Sequence, residues 1–287
     1  MQVNYRFLSS EDFAALHVAL LEAFSDYIIP FQLTEAQLRN HIAVNAVDIN
    51  QSVGAFAGEK MVGFTLNGFG CWNGKSTVYD AGTGVLPDFR GKRIAERIFE
   101  FMTPALKQNG VEQILLEVIT KNESAVRLYR RLGFEKTRRL LLFERQKRFC
   151  YRSKCDFLVR EISEEPDWQL LQSFWDGNTC WQNSIEATKR SLSGKIVAVA
   201  FADKEKCVGY GIVFPKSGSI AQIAVDKNYR RRGVASLILT EMQTAAGGAD
   251  KPLRAANIDD NLKSTIGFLK SRNFGETLSQ FEMIKTL

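Results

Sequence analysis

Two short stretches standing 140 residues apart read almost alike: V-L-P-D-F-R-G-K-R-I-A at Val85–Ala95 and V-D-K-N-Y-R-R-R-G-V-A at Val225–Ala235. Each closes an apolar strand, turns through basic residues and opens a helix. The same shift relates Phe134 to Phe274, and a shift of 146 relates Lys60-Met-Val-Gly-Phe to Lys206-Cys-Val-Gly-Tyr. Matches that keep a common order mark an internal duplication, and 287 residues are enough for two domains. The expected division is 1–148 and 149–287, in the charged segment around Gln146–Asp156.

The repeated turn has a chemistry of its own. Pro87 and Asp88 break the strand that ends at Val85. Ile94, Ile98 and Met102, with Ala95 and Phe99 beside them, then recur at helical spacing. The first turn of a helix carries backbone N–H groups with no internal partner, at the positive end of the helix dipole. Arg90, Lys92 and Arg93 add full charge there. Such a corner suits a phosphate or pyrophosphate; it is equally the form of a basic, solvated helix start.

Around the first turn the pattern reads as a strand at Val3–Leu8, a helix from Ser10, a second short helix at Thr34–Ile42, and strands at Ser52–Ala57, Met61–Phe69 and Ser76–Val85. The long helix runs to about Asn109, with Pro104 expected to kink it or end its regular part. A strand at Gln113–Ile119 and a helix at Glu123–Leu132 follow. Phe134 is expected to begin a final pair of strands reaching about Phe143.

Composition removes several classes. The two histidines, His17 and His41, both fall in predicted helices, which argues against a zinc site or a histidine-based triad. The five cysteines are scattered, without C-x-x-C spacing. No apolar run is long enough to span a bilayer, and Met1–Ser10 lacks the pattern of a signal peptide, so the cytoplasm is the expected compartment and a membrane is not an expected partner. A net charge of +6 favours anionic partners without choosing among them. The densest basic segment, Lys136–Lys154, holds Glu135 at its edge, Glu144 within it and the apolar triplet Leu140–Leu142. It reads as a strand and a solvated linker, not as a nucleic-acid arm.

The order strand, helix, helix, three strands, basic turn, long helix, strand, helix, two strands resembles the GNAT acyltransferase family. Its cofactor signature, Arg/Gln-x-x-Gly-x-Gly/Ala, is intact at Arg230–Ala235, with Gly233 in place; Arg90–Ala95 has Arg93 where that glycine is expected. The family's Asn-x-x-Ala-x-x-Leu-Tyr helix followed by Gly-Phe is matched by Asn122, Ala125, Leu128, Tyr129, Gly133 and Phe134. The second half is weaker: Asn261 is displaced by one, Leu269 stands opposite Tyr129, and Asn273 opposite Gly133.

The resemblance implies an α+β fold of two tandem GNAT-like domains, each a mixed, mostly antiparallel β-sheet flanked by helices. It also implies an acyl-CoA co-substrate, usually acetyl-CoA, and transfer to an amine. The pyrophosphate would lie on Gly91, Lys92, Arg93, Ile94 and Ala95, with Arg90 at the head of the motif and Asn122 opposite. The pantetheine arm would pair with the strand edge at Gly84 and Val85. If the position of Arg93 is already helical, its side chain points outward or touches a phosphate. Tyr129, a phenol protonated at neutral pH, is placed as general acid for the leaving thiolate. Asp80 and Glu117 are the candidate bases. Asp26, Tyr27, Phe31 and Trp72 are candidates to line the acceptor mouth, next to the Gly70–Lys75 loop.

The reading that results is an N-acetyltransferase acting from its first half on a primary amine of a small molecule or peptide, by direct attack, with a degenerate second half. Three others stay open on residues alone: catalysis from the second half, a non-catalytic acyl-CoA-binding sensor, and a tRNA-dependent aminoacyl transferase, which requires nucleic-acid binding.

Overall fold

The chain runs through one order of elements twice. The first half comprises β1 (Asn4–Phe7), α1 (Phe13–Ala23), α2 (Glu35–Val44), β2 (Val53–Ala57), β3 (Lys60–Trp72), β4 (Lys75–Val85), α3 (Ile94–Gln108), β5 (Gln113–Ile119), α4 (Glu123–Arg131) and β6 (Glu135–Arg145). The second comprises β7 (Leu158–Ile162), α5 (Trp168–Ser173), α6 (Ile185–Arg190), β8 (Ile196–Ala202), β9 (Lys206–Phe214), β10 (Ser219–Val225), α7 (Val234–Ala245), β11 (Leu253–Asp259), α8 (Lys263–Ser271) and β12 (Phe274–Thr286). This is a computed structural model, and it describes residues 2–29, 32–145, 157–203, 205–248 and 251–287. Phe31 and the expected boundary at 148/149 lie outside the described residues.

Two compact units form, and neither is one continuous segment. The first comprises Met1–Arg138, Lys189–Leu192 and Gln280–Leu287; the second comprises Arg139–Thr188 and Ser193–Ser279. In the first unit the strands lie in the order β1, β2, β3, β4, β5, and the last residues of β12 close the series. All neighbours are antiparallel except β4 and β5. The second unit orders β7, β8, β9, β10, β11 and then the end of β6, with β10 and β11 the parallel pair.

The expected pair of strands after Phe134 is one strand, β6. Nothing between Glu135 and Phe143 breaks it: no Gly, Pro, Asn or Asp is present to make a turn. Its residues from Arg139 onward pair with β11 in the second unit. The strand that covers β5 comes instead from the far end of the chain, Gln280–Thr286 against Ile119–Gln113. It seats Met283 in the first core and Glu282 on Arg138 at 2.6 Å.

Helix α3 continues through Pro104 to Gln108. Pro104 and Glu100, the residue whose carbonyl loses its bond, both lie on the exposed side, so that carbonyl is open to solvent. The opposite side of α3 buries Ile94, Ile98, Phe99, Met102 and Leu106 against the sheet. Helix α2 starts on a reciprocal cap: Thr34 accepts from Gln37 N–H, and the Gln37 side chain accepts from Thr34 N–H.

One irregularity positions the site. Leu66 faces Gly82 and Asn67 faces Asp80, so Ala81 is an extra residue in β4. A bulge of this kind bends the strand and increases its twist. The pairing of β4 with β5 covers Thr77–Asp80 against Gln113–Leu116 and stops at the bulge. From there to Val85, β4 pairs with β3 on one side only among the described residues. Unit two repeats the device: Ile220 faces Val213, Gln222 faces Ile212, and Ala221 is the extra residue.

Candidate active site

The basic turn is held from behind by its first arginine. The Arg90 guanidinium donates to both carboxylate oxygens of Asp26 at 2.6 and 2.8 Å, to the Ala23 carbonyl at 2.9 Å and to the Val85 carbonyl at 3.2 Å. It ties the end of α1 to the end of β4, and its side chain is not turned toward an anion. Unit two builds the same clamp: Arg230 donates to Asp176, to the Phe174 carbonyl and to the Val225 carbonyl. Asp26, expected to line the acceptor mouth, is the carboxylate of this clamp. The Arg90 guanidinium holds its pKa below the ordinary carboxylate value.

Arg93 departs from the helical expectation. Its φ is +61°, in the left-handed region, and Gly91 stands at +75°. In unit two the corresponding residues are Arg231 at +61° and Gly233 at +90°. Both turns thus use two left-handed positions and place glycine at only one, in opposite order. The strain of the arginine, on the order of 1 kcal/mol, is accepted in each. The Arg93 side chain folds onto Glu96 with two bonds of 2.7 Å, and Lys92 folds back onto the Asp88 carbonyl. What the turn presents is its backbone. The first helical bond runs from Arg97 N–H to the Arg93 carbonyl, and the amides before it carry the positive end of the helix. Ile94 contributes an amide only, since its side chain is buried.

A cavity of about 640 Å³ lies between this turn, the open edge of β4 at Thr83–Val85, and α4. Gly84 is needed there for packing: a Cβ would stand 2.7 Å from the Phe64 ring. Asn122 caps α4 by accepting from Ala125 N–H, and it lines the cleft together with Tyr27. Lys121, Arg127 and Arg131 line the mouth and add positive charge.

At the inner end of the cavity Thr83 and Tyr129 line the wall, and Asp80 lies behind them. Asp80 Oδ1 accepts from Gly82 N–H at 3.0 Å. Its Oδ2 accepts from the Thr83 hydroxyl at 2.9 Å and from the Tyr129 hydroxyl at 3.3 Å. Burial pushes the carboxyl up to about 6, against the three donors that favour its charged form. Burial, then the Asp80 charge, pushes the Tyr129 phenol well above its ordinary value. The ring itself is fixed edge-on between Phe99 and Phe134.

That carboxyl has a stability consequence. The folded state holds a proton that the unfolded chain has already lost between about pH 4 and 6, so stability falls as pH rises through that window. Asp80→Asn stays neutral throughout. Its amide cannot accept at both atoms as the carboxylate does, a cost that does not change with pH, so the check is the change in the difference: between pH 4 and pH 7.5 the melting temperature of Asp80→Asn is expected to rise by roughly 5 °C relative to that of the unsubstituted protein, for about 2–3 kcal/mol at 1.36 per unit. Scanning calorimetry at the two pH values checks this; a difference that is the same at both would contradict it.

Glu117 is not brought to this site. Asp80 and Tyr79 are consecutive on a strand and point to opposite faces. Glu117 accepts from the Tyr79 hydroxyl at 3.2 Å, on the face away from Tyr129. Trp72, at the end of the β3–β4 hairpin, is buried with Arg138 over its ring, outside the cavity. Thr83 and His41 were missed by sequence reasoning. His41 is half-buried, desolvation lowers its pKa, and its Nε2 lies 2.8 Å from the carbonyl of the bulged Ala81. A signal for Thr83 was available in the duplication. The shift of 140 sets Asp80, Thr83 and Tyr129 opposite Ile220, Ile223 and Leu269. Unit two keeps a cavity of about 670 Å³ beside its own turn, but Ile220 and Leu269 are buried apolar groups there.

Both halves of the chain match known proteins. The acetyltransferase (GNAT) family matches residues 17–134, and an acetyltransferase (GNAT) domain matches residues 193–275. A stretch of 97 residues is 31% identical to N-alpha-acetyltransferase 30 of Schizosaccharomyces pombe; it takes up 33% of this chain and 58% of that protein, little more than half of the relative's length. A GCN5-related N-acetyltransferase from Sphaerobacter thermophilus superposes with a TM-score of 0.74 at 15% identity, covering 99% of this chain and 95% of that one. A tandem GNAT protein from the clavulanic acid biosynthesis pathway gives 0.73 at 11% identity, covering 99% and 98%. At these identities the likeness to solved structures is one of fold. With both halves matched and the fold shared end to end, the chain belongs to the GNAT superfamily and carries two GNAT domains in tandem.

Proposed function

We propose that this protein is an N-acetyltransferase whose first unit moves an acetyl group from acetyl-CoA to a primary amine. The observation that carries the reading is the meeting of Asp80 and Tyr129 at the inner end of a cleft with an open strand edge and a helix start along its walls. The bound acetyl-CoA supplies the activated thioester. The amides of Gly91–Ala95 suit its pyrophosphate. The unpaired edge of β4 at Gly84 and Val85 suits the amide groups of its arm, as a peptide adds to a sheet. A backbone N–H on that edge would stabilise charge on the carbonyl oxygen during transfer.

Tyr129 is the acid and Asp80 the base. An amine gives up one proton on acylation, and a departing thiolate takes one up. A carboxyl near 6 is mostly ionised at pH 7 and still basic enough to accept a proton. The name of the similar yeast protein makes the α-amino group of a peptide the first acceptor to try. Its pKa, about 7.7–8.0, leaves a useful fraction in the reactive neutral form at pH 7. In unit two the paired acid and base are absent, since Ile220 and Leu269 occupy their places. We read that unit as a non-catalytic partner.

The full chain, incubated with acetyl-CoA and a panel of peptides and small amines, is expected to release free CoA thiol and to add one acetyl group to an acceptor, seen by mass. Tight binding of acetyl-CoA with no thiol release on any amine would replace this reading by that of a sensor.

A further inference from the structure

We infer that the Thr83 hydroxyl is the group that takes the proton from the attacking amine, handing its own to Asp80 behind it, while Tyr129 delivers a proton to the departing sulfur. This deepens the proposed reaction and rests on it. Thr83 and Tyr129 both line the cavity, whereas Asp80 does not reach it and is 6% exposed. A carboxylate enclosed in this way meets substrate protons only through the hydroxyls in front of it.

The hydrogen-bond inventory leaves Thr83 free to act. A hydroxyl has one proton and two lone pairs. The Thr83 proton is given to Asp80 Oδ2. Thr65 Oγ1, 2.9 Å away and fully buried, must then donate to Thr83. One lone pair of Thr83 remains for a donor entering from the cavity. The Tyr129 hydroxyl donates to the same Asp80 Oδ2 that Thr83 does, so both hydroxyls are linked to one carboxylate oxygen.

The step balances. The amine nitrogen bonds to the acetyl carbon and the carbon–sulfur bond breaks. The nitrogen's proton moves to Thr83 as the Thr83 proton moves to Asp80. Tyr129 gives its proton to sulfur and is refilled from Asp80. The products are amide and free thiol, and the three side chains end as they began.

The second unit supplies an independent argument. It retains the bulge at Ala221 and the Arg230–Asp176 clamp, yet all three positions are apolar together: Ile220, Ile223 and Leu269. The scaffold stands without the polar trio, so the trio is not required by the fold. Its members are lost as one set, as expected of groups that satisfy each other in a buried network.

The test uses the full chain carrying Thr83→Val, which keeps shape and removes the hydroxyl, with Thr83→Ser as the restoring variant and Thr83→Ala should the valine variant fail to fold. Thr83→Val is expected to lower kcat about 100-fold with the KM for acetyl-CoA unchanged, and Thr83→Ser to restore it. A second readout needs no substrate. The Asp80 carboxyl, followed by 13C NMR and assigned by its loss in Asp80→Asn, is expected to titrate at higher pH in Thr83→Val, because a donor to its charged form is gone. Other titratable groups near it are Tyr129 from α4, Tyr27 beyond α1, and His41 from α2 on the Ala81 carbonyl. An acid limb of kcat that belongs to Asp80 moves to higher pH in Thr83→Val, whereas one belonging to His41 stays where it is. If Asp80→Asn is inactive while Thr83→Val or Thr83→Ala keeps full kcat and the original titration, the relay is wrong and the base assignment stands. If Asp80→Asn is itself fully active, both fall.

Discussion

Tyr129→Phe is expected to lower kcat for amine acetylation by about 10²–10³-fold, leaving the KM for acetyl-CoA and the fold intact. The substitution removes one oxygen. The ring keeps its edge-on contacts with Phe99 and Phe134, whose centroids stand 6.1 and 5.5 Å away. What is lost is the proton that the phenol offers to sulfur and its bond to Asp80. In the unsubstituted protein kcat is expected to fall as pH drops below about 6, because the base must be ionised and Asp80 titrates there. In Tyr129→Phe that limb moves to higher pH, since a donor that favours the carboxylate is gone. Glu117→Gln serves as the control: its side chain faces Tyr79 on the other side of the sheet, and its kcat is expected to stay near that of the unsubstituted chain. Steady-state kinetics across pH 5–9 decide the matter. A Tyr129→Phe enzyme with unchanged kcat removes the acid from the mechanism.

Much of this arrangement was legible in the residues. The repeated turn, the amphipathic helix behind it and the Asn122–Tyr129 helix are local patterns, and each carries its meaning within a dozen residues. The partners of those patterns were not legible. Arg90 reads as an anion ligand until Asp26, on the far side of α1, is found beneath it. Asp80 and Glu117 each stand as one carboxylate on an apolar strand. Only the face they point to separates them, and the distant Tyr129 and Tyr79 report that face. The bulge that opens β4 leaves no Gly or Pro at Ala81 to announce it, although Gly82 follows. Arg93 taking the left-handed φ of a glycine was also not foreseeable from spacing, because the turn tolerates its glycine at either of two positions.

The exchange of terminal strands leads to the other large effect. A chain ending at Ser279 is expected to lose the cooperative melting of the first unit and all acetylation, although every residue of the proposed site is retained. Residues Gln280–Thr286 pair with the whole of β5, and without them that strand becomes an exposed apolar edge. Removal of Met283 empties a fully buried position, a change that costs about 2–5 kcal/mol for a core methionine. Removal of Glu282 breaks a buried ion pair with Arg138, for about 3–5 kcal/mol more. Together these approach the whole stability of an ordinary domain, about 5–15 kcal/mol. The same reasoning applies to a fragment of residues 1–148, which holds the site but not its closing strand. Circular dichroism melts and thiol-release assays on the full chain, the 1–279 chain and the 1–148 fragment distinguish the outcomes. Should the 1–148 fragment melt cooperatively and turn over at the full chain's rate, the closing strand is dispensable and the first unit ends where its own half of the sequence ends.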